Sequence, residues 1–122
     1  MELTKSELEI MDVFWGADNP LSRGDLLEQS DNKSWKDSSV HILLNGLLRK
    51  GAIVEAGFVK RSKTYGRTFR PALSRESYYA NTIFCHRVKP DLVGVVAELL
   101  KRQDVTSQQL SQIRELVNQQ QG

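Results

Sequence analysis

Cysteine is almost absent from this chain. The lone thiol, Cys85, can form neither an intrachain disulfide nor a cysteine-rich metal site. Its neighbour His86 would point about 100° away from it on a helix, so the two share no ligand geometry. Long apolar runs are missing too. None approaches the roughly 20 residues of a membrane span, and no membrane partner is expected. The opening Met1-Glu2-Leu3-Thr4 lacks a basic stretch followed by an apolar one, so no signal peptide is expected. There is no Gly-rich phosphate loop, no carboxylate pair with a plausible cleft and no defensible Ser-His-Asp set. These absences point away from a secreted disulfide scaffold, a membrane protein and an enzyme. The expectation is a soluble, cytoplasmic protein with no metal and no cofactor. Its 39% hydrophobic and 26% charged content belongs to a globular chain rather than a disordered one.

Net charge is also small, +2 from 17 bases and 15 acids. Taken alone, that points away from a polyanion partner. The total conceals a segregation. Residues 1–30 hold two bases and seven acids, a net of −5. Residues 31–71 hold nine bases and three acids, +6, and residues 72–122 hold six and five, +1. Five of the bases fall between positions 60 and 70. Such a stretch serves a polyanion or forms a solvated loop, and charge alone leaves both open.

Thr4-Lys5-Ser6-Glu7 is a capping box. It predicts a helix to about Trp15, with Leu8, Met11, Phe14 and Trp15 at 3–4 spacing. Asp18-Asn19-Pro20 is turn chemistry, and Ser22 caps a short helix carrying Leu26 and Leu27. A third helix is predicted from Asp37, as N-cap, to Lys50, with Gly51 stopping it. Val40, Leu43, Leu44, Leu47 and Leu48 form one buried stripe. The opposite face carries Ser38, Ile42, Asn45 and Arg49, with Gly46 near its edge. The period then changes to 2. Ala52–Ala56 and Tyr65–Arg70 read as paired strands, joined by a basic tip from Phe58 to Thr64. Three helices and a hairpin with a cationic tip is the layout of a winged helix-turn-helix, whose third helix enters the DNA major groove.

The remainder reads as helical. One helix runs from Ser74 to Val88, and Lys89-Pro90 breaks it. Asp91 caps a second, Leu92 to about Arg102, and Thr106 or Ser107 caps a third. About 50 residues in three helices cannot bury so wide an apolar arc alone. A two-fold dimer covers it; packing back on the first domain is the alternative. The predicted fold is mainly α. A winged helix-turn-helix DNA-binding domain, 1–72, has three helices and a two-stranded wing. A three-helix dimerisation domain, 73–122, follows. Leu92, Val96, Leu99, Leu100, Leu110, Ile113, Leu116 and Val117 are its expected interface.

The segment from Trp35 through Ser39, Val40, Leu43, Leu44 and Leu47 to Arg49-Lys50-Gly51 resembles the penicillinase-repressor family. Leu3-Thr4-Lys5-Ser6-Glu7-Leu8-Glu9-Ile10-Met11 with Trp15, and Pro71-Ala72-Leu73-Ser74-Arg75-Glu76-Ser77-Tyr78, are similar to the family in the same order. Asp104-Val105-Thr106 between the last two helices extends the match over nearly the whole chain. The resemblance implies a homodimeric transcriptional repressor that binds a palindromic double-stranded operator. Known members control β-lactamase or copper-homeostasis genes, so antibiotic resistance is an expected setting. A sensor protease or another inducer is the expected release.

Three departures stand out. The family's Ser-Pro after the Trp is Lys36-Asp37 here. Ile42 and Gly46 stand where the family has Thr and Arg on the exposed recognition face, and losing Arg removes a residue suited to bidentate guanine contact. The copper branch's Cys-x-Cys pair is absent, and Glu98-Leu99 stands near the Asn-Phe bond cut in the antibiotic-responsive branch.

On the recognition helix, Ser38, Ser39, His41, Ile42, Asn45 and Arg49 are the expected DNA contacts. Asn bonds adenine bidentately and Ile42 suits a thymine methyl, while Arg49 near the helix end meets phosphate. Lys60, Arg61, Lys63 and Arg67 on the wing are the expected phosphate contacts. Trp35 reads as a packing anchor and Cys85-His86 as no site. The competing reading is a protein-interaction winged helix with no DNA binding, in which Ile42 and Gly46 form a flat docking surface.

Overall fold

Most helices of this chain start where a short polar side chain can accept from an exposed amide. The computed structural model describes residues 1–31, 33–61 and 64–120, with the backbone alone at 59–61, 64 and 65. Helix α1 (Lys5–Gly16) is capped by Thr4, whose hydroxyl accepts from the Glu7 amide at 3.2 Å while the Glu7 carboxylate accepts from the Thr4 amide at 2.9 Å. Ser22 and Asp25 repeat that reciprocity at α2 (Arg23–Gln29). Helix α3 (Val40–Lys50) begins differently. Asp37 does not cap it: Asp37–Ser39 form a 3-10 turn, and the Asp37 carboxylate pairs with Lys33. The ion pair occupies the side chain that a cap would need, so the tight turn leads the chain into the helix. Gly51 ends α3 in the left-handed conformation, φ 77°, which lets Ala52 N donate back to Leu47 O at 2.9 Å.

The sheet has three antiparallel strands rather than the two expected. They are β1 (Leu21–Ser22), β2 (Ile53–Arg61) and β3 (Thr64–Pro71), in the order β1-β3-β2. Capping α2 holds Ser22 extended, and Leu21 is buried beside it. These two residues therefore pair with Phe69 and Thr68. The wing strands also run further than expected, since β2 reaches Arg61 and β3 begins at Thr64. Glu55 pairs with Phe69 and Gly57 with Thr68, leaving Ala56 as a bulge that Gly57 accommodates at φ 137°. One extra residue reverses the in–out alternation, which is why the sequence pattern stops at Ala56.

Ile10, Met11 and Phe14 of α1, Leu26 of α2, and Val40, Leu44 and Leu47 of α3 form one buried core with Trp35, Ile53 and Phe69. Leu43 and Leu48 pack partly buried against it, so the predicted stripe of α3 faces inward. Helix α4 (Arg75–Ile83) belongs to this same compact unit, Met1–His86, which passes the boundary expected at 72. The Trp15 indole donates to Leu73 O at 2.9 Å, its ring lies 5.8 Å from that of buried Tyr78, and Arg75 sits over it at 5.5 Å. Those contacts fasten α4 to α1. Helix α4 also stops before Val88. Thr82 donates its hydroxyl to Tyr78 O at 2.8 Å, a local bond that competes with the helix ladder.

The second unit, Arg87–Gly122, contains α5 (Leu92–Leu100) and α6 (Ser107–Gln120). The Asp91 carboxylate accepts from Gly94 N at 2.9 Å. Thr106 and Gln109 exchange reciprocal capping bonds at the start of α6. The described fold is thus mainly helical, with one small antiparallel sheet.

Candidate nucleic-acid interface

The outward face of α3 is set by what its inward face buries. With Val40, Leu44 and Leu47 in the core, 100° per residue turns His41, Ile42, Asn45 and Arg49 outward, and all four are exposed. Ser38 in the preceding turn is exposed and Ser39 half-buried. Ile42 is 73% exposed, an apolar side chain in water at the centre of a polar face. Five of the six residues expected on this helix are therefore freely accessible, and Ser39 partly so.

Arg23, at the first position of α2, reaches across to His41, its Nη1 against the imidazole Nε2. Arg23 escaped the sequence reading because nothing local connects position 23 to position 41.

Gly46 is not on this face. It is buried, and a Cβ built on it would lie 2.8 Å from Glu7 Oε2. The expectation that position 46 belongs to an exposed reading or docking surface is therefore corrected. Helix α1 stands against that edge of α3, which a helical wheel does not contain. Glu7 itself is buried, with Lys50 Nζ 2.5 Å from its Oε1. Burial opposes its ionisation, yet the Lys50 bond and charge and the Thr4 amide and hydroxyl outweigh that and hold its carboxyl below the ordinary value. Glu9 accepts from the Ser34 hydroxyl and from the Ser34 amide at 2.8 Å, and both bonds lower its carboxyl. The turn ahead of α3 is thereby tied to α1. Trp35 is buried, as a packing anchor is, with the Lys33 ammonium 4.6 Å from its ring centre.

On the wing, Arg67 is exposed. It lies 3.5 Å from Glu55 Oε2 and 5.3 Å from the Phe69 ring centre. So exposed a pair at that distance is weak and leaves Arg67 free to exchange partners. Lys60 and Arg61 pair across the hairpin with Tyr65 and Thr64, near its end. Their side chains, and Lys63 altogether, lie outside the described residues. Phe58 is 68% exposed opposite Arg67, a second outward apolar side chain that the sequence reading absorbed into the basic tip.

The eight residues expected at a dimer interface are all exposed on α5 and α6, among them Leu116 at 59% and Leu92 at 57%. Among the described residues there is no group of three or more His, Cys, Asp or Glu placed to hold a metal ion, and Cys85 is exposed. No helix among them is long and apolar enough to cross a membrane.

Comparison with known proteins gives one family. No curated protein matches the chain. Among solved structures, Bacillus subtilis PadR in complex with operator DNA is similar at 19% identity and a TM-score of 0.46, covering 98% of this chain and 75% of that one. The model of the penicillinase repressor family matches residues 3–119, which takes in every described helix but the final residue of α6. The chain belongs to the penicillinase repressor family, a family of DNA-binding transcriptional regulators rather than enzymes.

Proposed function

We propose that the chain is a repressor that binds a palindromic operator as a homodimer, laying α3 in the major groove of each half-site. The observation that carries this reading is the outer face of α3, where His41, Ile42, Asn45 and Arg49 are exposed together while the inner face is core. Asn45 suits adenine, Ile42 a thymine methyl, and Arg49 a phosphate beyond the base edges. Ser38 and Ser39 lie at the helix entry, and Lys60, Arg61, Lys63 and Arg67 of the wing are the proposed phosphate contacts. The homodimer rests on Leu92, Val96, Leu99, Leu100, Leu110, Ile113, Leu116 and Val117. Apolar side chains so widely exposed on two short helices favour a second copy. On this reading residues 73–122 serve dimerisation, with α4 fastened to the head. The chain resembles regulators of β-lactamase or related resistance genes, and on this reading it acts in the cytoplasm and a sensor protease or another inducer relieves repression.

The test is a gel shift of the full chain on the promoter of its own operon. A shifted band that competitor DNA of unrelated sequence does not remove is expected. The second reading, a winged helix that docks on protein, draws on Ile42 and Phe58 as exposed apolar residues. It predicts no DNA affinity and salt-insensitive binding to a protein partner.

A further inference from the structure

The outer face of α3 presents fixed chemistry to a base edge only if the helix is held in rotation about its own axis. Glu7 sits where that rotation is decided. It lies in the first turn of α1 and is 4% exposed. Its Oε1 accepts from Thr4 N at 2.9 Å and from Lys50 Nζ at 2.5 Å. Its Oε2 fills the space beside Gly46, 2.8 Å from where a Cβ would stand. Lys50 also donates to the Glu2 carbonyl at 3.0 Å. The last base of α3 therefore directs its charge into the head rather than towards a polyanion.

We propose that Glu7 is the positioning residue of α3, its carboxylate gripping the helix at Gly46 and Lys50 and so setting which base edges Ile42 and Asn45 meet. This rests on the DNA-binding reading above. Gly46 follows Asn45 directly and lies one turn after Ile42, so a displacement at Gly46 is delivered to both. A Cβ at position 46 would press on Oε2, and because Thr4 N and Lys50 Nζ hold the other oxygen of the planar carboxylate, we infer that part of the displacement passes to the helix. Hydrogen bonds to base edges tolerate only fractions of an ångström.

The test is a cycle on the full chain with wild type, G46A, E7A and G46A/E7A, read in two ways. In the free protein, G46A is expected to shift backbone amide resonances along α3 from His41 to Arg49, and adding E7A to return them. In binding-site selection, G46A is expected to alter the base preference beneath Ile42 and Asn45 and to lower specific affinity about tenfold, the order that one misplaced base contact carries. The slope of log K against log salt stays unchanged, and the double variant recovers most of the loss. K50M, which frees Oε1 to turn away, is expected to soften the effect of G46A in the same direction without changing the salt slope. It decides the matter if E7A does not fold. The proposal is overturned if G46A shifts only its immediate neighbours and leaves the base profile unaltered. It is equally overturned if neither E7A nor K50M relieves G46A. A wild type that selects no sequence overturns the DNA-binding reading, while the amide shifts still decide whether Glu7 holds α3.

Discussion

If Ile42 reads a thymine methyl, two quite different changes remove the same contact: Ile42→Ala in the protein, and thymine replaced by uracil in the operator. Ile42 is 73% exposed, so most of its surface is available for the groove to cover. Truncation to alanine removes roughly three carbons, at ~0.8 kcal/mol for each one fully buried. A groove wall covers such a side chain on one side, which leaves about 1 kcal/mol per half-site, or roughly fivefold in affinity. A dimer on two half-sites doubles the free energy to about 2 kcal/mol, roughly thirtyfold. The assay begins with binding-site selection to define the operator. Anisotropy titrations of both proteins on thymine and uracil duplexes then complete a double-mutant cycle. Each single change is expected to weaken binding, and uracil at the contacted position is expected to make no further difference to the Ile42→Ala protein. Strictly additive losses at every thymine, or a base profile unchanged by Ile42→Ala, would refute the reasoning.

Three further outcomes follow from the proposed interface and from Glu7. Replacing Lys60, Arg61 and Lys63 by glutamine is expected to flatten the salt dependence of binding, by about 0.9 in slope per lost phosphate contact, without changing base preference; an unchanged slope discards the wing contact. Leu99→Asp with Leu116→Asp is expected to bring the sedimenting mass down to the 13.9 kDa of one chain and to abolish tight binding to the full palindrome. A wild type that sediments as one chain while occupying the palindrome contradicts the proposed dimer. Burial works against ionising Glu7, but its bond to Lys50 and those to Thr4 hold the carboxyl below its ordinary 4.5. The folded value lies below the unfolded one, so the stability gained is complete above 4.5 and is lost as pH falls through the lowered folded value. Urea unfolding from pH 7 to pH 3 is therefore expected to show a shallower acid limb in Glu7→Gln than in wild type.

Much of the head is readable from the sequence because its signals are local. Val40, Leu44 and Leu47 follow the helical period, Thr4 and Ser22 sit beside the amides they cap, and Gly51 follows the turn it ends. What the sequence hides is whatever depends on a neighbour from elsewhere in the chain. Gly46 lies at the edge of a helical wheel, and only the arrival of Glu7 from α1 makes that edge an interior. The Trp15 indole finds its acceptor on Leu73, 58 residues further on, so α4 reads as part of the second region although it is fastened to the first. Arg23 and His41 meet for the same reason. The wing strands are obscured by a different effect, since the bulge at Ala56 inverts the alternation on which strand reading depends. The lysine and aspartate at positions 33 and 37 pair with each other, and a cap signal cannot reveal that its side chain is already engaged.

Ser22 holds two positions at once. Its side chain caps α2, while its backbone residue pairs with Thr68 in the wing. At the other end, α3 passes into β2 through Gly51 alone before Ala52 bonds across to Ala72 at 2.9 Å. If α3 lies in the groove as proposed, it and the base of the wing are then two prongs joined at a short root, and fitting both to one duplex falls in part to bending of the DNA. Base steps that deform readily are favoured wherever that bending falls. On that reading, sequence preference in the operator would extend to base pairs that no side chain of this protein touches.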